Sequence, residues 1–157
     1  MGDGDVASIL PDRKDLLFFA SGVSNSQCQD EAEYQREVDL LRSQPKNKHI
    51  VYFSSLAVFN AHTRYTAHKR YIEGIIKVMF PQYTIMRIGN ISWGTNPHTL
   101  INYLKAHPEA EIKDEWRFIC DEDELLFWIN RIPYWSCEMN VVGERMKVQQ
   151  IKELYAK

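Results

Sequence analysis

Three short, largely apolar runs, separated by stretches with helical periodicity, constrain this chain more than any other feature. The first is Leu16-Leu17-Phe18-Phe19-Ala20, ending in Ser21-Gly22. The second covers residues 49–53 and runs into Ser54-Ser55; the third covers residues 83–88 and ends at Gly89-Asn90. A strand with one wet face alternates apolar and polar residues, so continuous apolar runs of this length indicate strands buried on both faces. Between them lie two helical stretches. In residues 31–43, preceded by Asp30, the side chains of Tyr34, Val38 and Leu41 share one face, and the acids and arginines are expected on the other. The second stretch, residues 65–80, is ended by Pro81. Strand, helix, strand, helix, strand is the order of right-handed βαβ units in a parallel sheet. The expected fold class is therefore α/β, a parallel sheet with helices on both faces. Further on, residues 98–106, 123–129 and 147–155 read as helices, and residues 116–120 and 139–142 as short strands.

At 157 residues the chain is expected to form a single domain, residues 1–157. A net charge of -2 gives no reason to expect nucleic acid or an acidic membrane as partner. No apolar stretch approaches the length of a membrane span. Met1 to Val6 carry two aspartates and no cationic region, which argues against a signal peptide. Cys28, Cys120 and Cys137 are scattered, with no metal-ligand spacing, so a cytoplasmic location without bound metal is expected. The five histidines lack ligand spacing and are read as surface or loop residues; Trp116, Trp128 and Trp135 are read as core.

Ligands of parallel sheets bind beyond the carboxyl ends of the strands. Ala20-Ser21-Gly22, Ser54-Ser55 and Gly89-Asn90 all fall there. The helix that follows Ser54-Ser55 opens with Tyr65-Thr66-Ala67-His68-Lys69. Positions i and i+4 share a helix face, and a cation beside a phenol favours the phenolate. A phenol so placed can exchange protons near neutral pH, while a serine at the strand end polarises a carbonyl or alcohol. By itself the tyrosine–lysine spacing is common; its place after a serine-ended strand gives it meaning.

In order, these segments resemble the extended short-chain dehydrogenase/reductase family. They are Val51-Tyr52-Phe53-Ser54-Ser55-Leu56-Ala57-Val58-Phe59, Tyr65 to Lys69 with Glu73, and Met86-Arg87-Ile88-Gly89-Asn90-Ile91-Ser92-Trp93-Gly94. More narrowly the chain is similar to the NAD(P)-dependent nucleotide-sugar epimerases and dehydratases. Trp116-Arg117-Phe118-Ile119 and Asn140-Val141-Val142-Gly143 extend the likeness, which runs from about residue 15 to the C-terminus. The resemblance implies a catalytic set of Ser55, Tyr65 and Lys69. It implies that Lys69 holds the nicotinamide ribose, and that Ser54 and the backbone of Ala20 and Ser21 line NAD or NADP. Asn90 and Arg117 would touch the diphosphate side of a nucleotide-sugar substrate.

The family begins with a strand and a glycine-rich turn that meets the cofactor pyrophosphate. Here Gly2-Asp3-Gly4-Asp5-Val6-Ala7 spells GxGxxA with no apolar strand before it, and only fourteen residues precede Asp15. The chain is thus expected to match the C-terminal half of a Rossmann domain. The strand at residues 15–20 would then be a sheet edge inviting self-association or a partner strand. The two helices at residues 31–43 and 65–80 resemble those of the family's dimer interface, a second route to a homodimer. Two functions stay open: an NAD(P)-dependent epimerase, dehydratase or ketoreductase acting on a nucleotide-linked sugar, or a truncated non-catalytic relative serving as a binding or assembly module.

Overall fold

The computed structural model describes residues 2–157. Four parallel strands, β1 (Leu16–Phe19), β2 (His49–Ser55), β3 (Tyr83–Ile88) and the later β6 (Cys137–Val141), form one sheet in the order β1-β2-β3-β6. Their register pairs Phe19 with Tyr52, Ser55 with Ile88, and Ile88 with Val141, so the carboxyl ends of all four strands lie along one edge.

The apolar runs are sandwiched, as their lack of alternation requires. One face of the sheet presents Phe19, Ile50, Tyr52 and Ile85 to helix α1 (Glu31–Ser43) and helix α2 (Arg64–Met79), through Val38, Leu41, Ile72 and Ile76. The other face presents Phe18, Val51, Phe53 and Met86 to Leu125 and Ile129 of helix α4 (Glu122–Ile129), with Val6, Ile9 and Leu10 packed beside them. Each fully buried aliphatic side chain here contributes about 1.5–3 kcal/mol. Side-chain caps start the helices: Asp30 accepts from the Ala32 amide, and Thr63 from that of Thr66 in a reciprocal capping box.

A smaller layer follows. Strand β4 (Asn90–Ile91) runs parallel to β5 (Trp116–Cys120), which pairs antiparallel with β7 (Glu144–Lys147). Helices α3 (Leu100–Ala106) and α5 (Val148–Tyr155) cover it through Ile101, Leu104, Val148 and Ile151. The chain passes from β6 to β7 through Gly143 at φ 67°, where an added Cβ would lie 2.0 Å from the Ile119 carbonyl oxygen, so only glycine fits. Strands β4 and β7 lie outside the sequence expectation. One has two residues, and the other, Glu144-Arg145-Met146-Lys147, carries a single apolar side chain.

Two sequence expectations are corrected. His49 and His68 are buried, not surface residues; His49 Nε2 lies 2.8 Å from Thr84 Oγ1. Trp116, Trp128 and Trp135 are exposed, not core, with Trp135 68% accessible. Trp116 stacks instead beneath Arg145 and Lys147, at 4.3 and 4.9 Å, and Trp128 donates to Glu124.

Candidate active site

Ser54 and Ser55 show how a strand end sorts neighbouring residues. Successive side chains leave a strand on opposite faces. Ser54 is buried against α2 and its hydroxyl donates to Glu73 at 2.7 Å, so it is committed there rather than turned to the strand ends. Ser55 is half-buried at the end of β2, and its hydroxyl accepts from the Ala57 amide at 3.1 Å, capping the 3-10 turn Leu56–Phe59.

The first turn of α2 is pinned from three sides. Thr63 caps it. Arg64 forms a bidentate pair with Glu31 and lies 4.1 Å over the Tyr34 ring. Arg70 donates to the carbonyls of Val58 and Ala61, tying down the loop before the helix. Tyr65 is thereby fixed at the carboxyl edge of the sheet, half-buried. One turn on, the Lys69 ammonium lies 5.4 Å from the Tyr65 ring centroid and 5.1 Å from that of Tyr52. Lys69 is 4% exposed, and its hydrogen bond to the Phe53 carbonyl is long, at 3.5 Å.

Beneath this pair lies Glu37 of α1, fully buried on the same helix face as Val38 and Leu41. Its Oε2 accepts from the Val23 amide at 3.1 Å and bonds His68 Nε2 at 2.7 Å; its Oε1 accepts from the Tyr52 hydroxyl at 3.1 Å. Burial by itself would raise the Glu37 pKa. The charge of Lys69 and the bonds from His68 and Val23 outweigh it and hold the carboxyl at about 2. Burial, and then the Glu37 charge, push Tyr52 well above its ordinary value, so it stays a neutral donor.

Asn90 and Arg117 sit on the smaller layer. Asn90 opens β4, opposite Ile119, and its side-chain amide donates to the Phe118 carbonyl at 3.2 Å. Arg117 on β5 pairs with Glu115 at 2.6 Å. Among the described residues no hydrogen bond joins the two. At the end of β1, Ala20 is overlaid by Gly2, whose added Cβ would lie 2.4 Å from the Ala20 carbonyl oxygen, and the Ser21 carbonyl accepts from Arg36.

The GxGxxA stretch is not a phosphate-binding turn. It leads into a 3-10 turn, Ala7–Ile9, and Asp5 reaches the loop beyond β4. The Asp5 carboxylate accepts from the amides of Thr95 at 3.0 Å and Asn96 at 2.9 Å, and its carbonyl accepts from the Trp93 indole at 2.9 Å. Sequence reasoning missed Asp5 and Glu37. Only the position of Glu37 between Tyr34 and Leu41, on the apolar stripe of α1, carried a signal.

No protein-family model and no curated protein matches the chain. Solved structures do. The Bordetella bronchiseptica enzyme WbmG in complex with NAD superposes with a TM-score of 0.64 at 14% identity, over 88% of this chain and 55% of that one. The dTDP-glucose 4,6-dehydratase of Bacillus anthracis, in complex with NAD, gives 0.65 at 14% identity, over 91% and 57%. The dTDP-4-dehydrorhamnose reductase of Bacillus anthracis, in complex with NADP, gives 0.62 at 15%, over 88% and 61%. The chain therefore has the Rossmann-like fold of the short-chain dehydrogenase/reductase epimerases, dehydratases and reductases. It spans a little over half the length of these neighbours.

Proposed function

We propose that this chain supplies the proton-transfer half of an NAD(P)-dependent epimerase, dehydratase or ketoreductase acting on a nucleotide-linked sugar. The observation that carries this reading is the Tyr65 ring 5.4 Å from the Lys69 ammonium at the strand-end edge, in a fold whose solved neighbours hold NAD or NADP. In it Tyr65 exchanges a proton with a sugar hydroxyl or ketone, and Ser55 hydrogen-bonds the same oxygen. Lys69, with donors beyond its one long bond, suits the diol of the nicotinamide ribose. Ala20 and Ser21 offer backbone at the same edge, and Asn90 and Arg117 the polar groups for a diphosphate. A nicotinamide ring supplies the hydride acceptor or donor when bound.

The residues fit the nicotinamide end better than the pyrophosphate end. Among the described residues no strand and glycine turn precedes β1, and Asp5 brings a negative charge to the strand-end edge. The phosphate-binding part of the cofactor site is therefore expected to come from outside these residues, by pairing along β1, which lies at the end of the sheet order. The three cysteines are free thiols, which supports a cytoplasmic setting. No helix among the described residues is long and apolar enough to cross a membrane.

Calorimetric titration with NAD+, NADH, NADP+ and NADPH tests the reading. Binding is expected, and Tyr65→Phe should keep it while lowering turnover about 10²–10⁴-fold. Silence at millimolar cofactor would remove the reading of an autonomous enzyme. It would leave a second one, a non-catalytic binding or assembly module, which the seating of Asp5 on the Thr95 and Asn96 amides favours.

A further inference from the structure

We propose that Glu37 is a positioning residue that holds the Lys69 ammonium under Tyr65 across the gap left by the missing side chain of Gly22. The inference rests on the reading of Lys69 given above, and reaches a residue on a different helix that touches neither substrate nor cofactor.

A buried carboxylate on the apolar stripe of a helix is costly unless it is satisfied. Leucine would serve packing there, as it does one turn later at Leu41. Glu37 instead gathers four parts of the chain on one group: its own helix α1, the loop after β1 through the Val23 amide, β2 through Tyr52, and α2 through His68. These bonds engage both of its oxygens without including Lys69. The ammonium borders the same space beside Gly22: a Cβ there would be 2.7 Å from Glu37 Oε1 and 3.1 Å from Lys69 Nζ. Anion and cation thus face each other across a gap that only the absence of a side chain allows. The carboxylate attracts the ammonium without capturing its N–H groups in a direct ion pair. The charge stays in place, and the donors stay available at the side where Tyr65 stands.

Among the described residues Glu37 hydrogen-bonds no other carboxylate, and Glu73, whose charge also bears on Tyr52, is taken by Ser54 and Arg87. Of the groups that face Glu37, His68 and Lys69 come from α2, the neutral Tyr52 from β2, and an amide from the loop after β1. His68 adjoins Lys69 in sequence, so its bond to Glu37 also fixes the turn of α2 from which the lysine departs.

The test uses the full chain with Glu37→Gln, which keeps shape and removes charge. The ¹⁵Nζ ammonium resonance of Lys69, assigned with Lys69→Arg, is the first readout, and NADH affinity by calorimetry the second. The wild type should show a slowly exchanging ammonium signal; Glu37→Gln should lose it and weaken NADH binding about tenfold. An unchanged Lys69 signal in Glu37→Gln, or no observable signal in the wild type, overturns the proposal and leaves Glu37 a packing group. If the signal is lost but wild type binds no NADH, the positioning role stands and the cofactor reading falls. Should Glu37→Gln not fold, Gly22→Ala wedges a methyl group between the two side chains. An unchanged Lys69 signal there overturns the proposal equally.

Discussion

Two buried cations on the same side of the sheet are held in opposite ways. Arg87 of β3 forms a bidentate pair with Glu73 of α2, at 2.9 and 2.6 Å, and a further bond to Glu138 at 3.0 Å. Ser54 donates to the same Glu73, and the guanidinium lies 5.0 Å over the Phe59 ring. Lys69 has one long hydrogen bond and a glutamate kept at a distance by Gly22. The planar fork of arginine suits a network in which every donor has a place, and its charge is locked into scaffold. The point charge of a lysine ammonium suits a site whose donors are kept for a ligand. Burial alone does not separate structural from chemical charges; the count of satisfied donors does.

The largest effect should come from breaking the saturated network. Glu73→Leu leaves Arg87 buried without its bidentate partner and should cost about 3–5 kcal/mol, read by urea unfolding at neutral pH. A loss below about 1 kcal/mol would put this pair on the level of a surface ion pair and dissolve the comparison.

The unsaturated network should show itself in acid. The Glu37 carboxyl titrates at about 2 in the folded chain against an ordinary 4.5. Its folded-state pKa is depressed, so its contribution is complete above pH 4.5 and is lost as pH falls toward 2. The share at stake is about 3 kcal/mol, and Glu37→Gln should flatten that part of the stability profile. A wild-type profile that stays level from pH 5 to 3, with the acid limb unchanged in the mutant, would contradict the assignment.

The smallest effects sharpen the contrast through two glycines. Gly22→Ala should destabilise by about 1–3 kcal/mol, because its methyl group meets both Glu37 and Lys69. Gly74→Ala, inside α2 with open space around the added carbon, should stabilise by about 0.5–1 kcal/mol. Thermal melting of both variants side by side gives opposite signs; equal signs would mean that the Gly22 gap is not a constraint.

Much of the scaffold was legible because its signals are local. The bounds expected for the third strand and for residues 116–120 match β3 and β5, and α2 differs by one residue at each end. The Tyr65–Lys69 spacing led to the edge where both residues lie. What escaped was set by long-range partners. Residue 37 falls on the apolar stripe of α1, yet its acidic character pointed to the outer face; only Tyr52, His68 and the Val23 amide make it an interior residue. His49 and His68 are likewise made interior by Thr84 and Glu37. The exposed tryptophans escaped for the converse reason. Surface arginine and lysine cover Trp116, a contact that composition does not reveal.

The seating of Asp5 bears on the order in which the molecule assembles. Its contacts reach Trp93, Thr95 and Asn96 across 88 to 91 residues of sequence, whereas neighbouring strands of the main sheet from β1 to β3 are joined by a single helix. Closing so large a loop carries an entropic cost that only an already formed β3–β4 segment can offset. The opening residues are thus expected to be a late clasp, fastened after the sheet exists and the first contact to let go when the chain begins to unfold, an order that hydrogen exchange at the Thr95 and Asn96 amides would reveal.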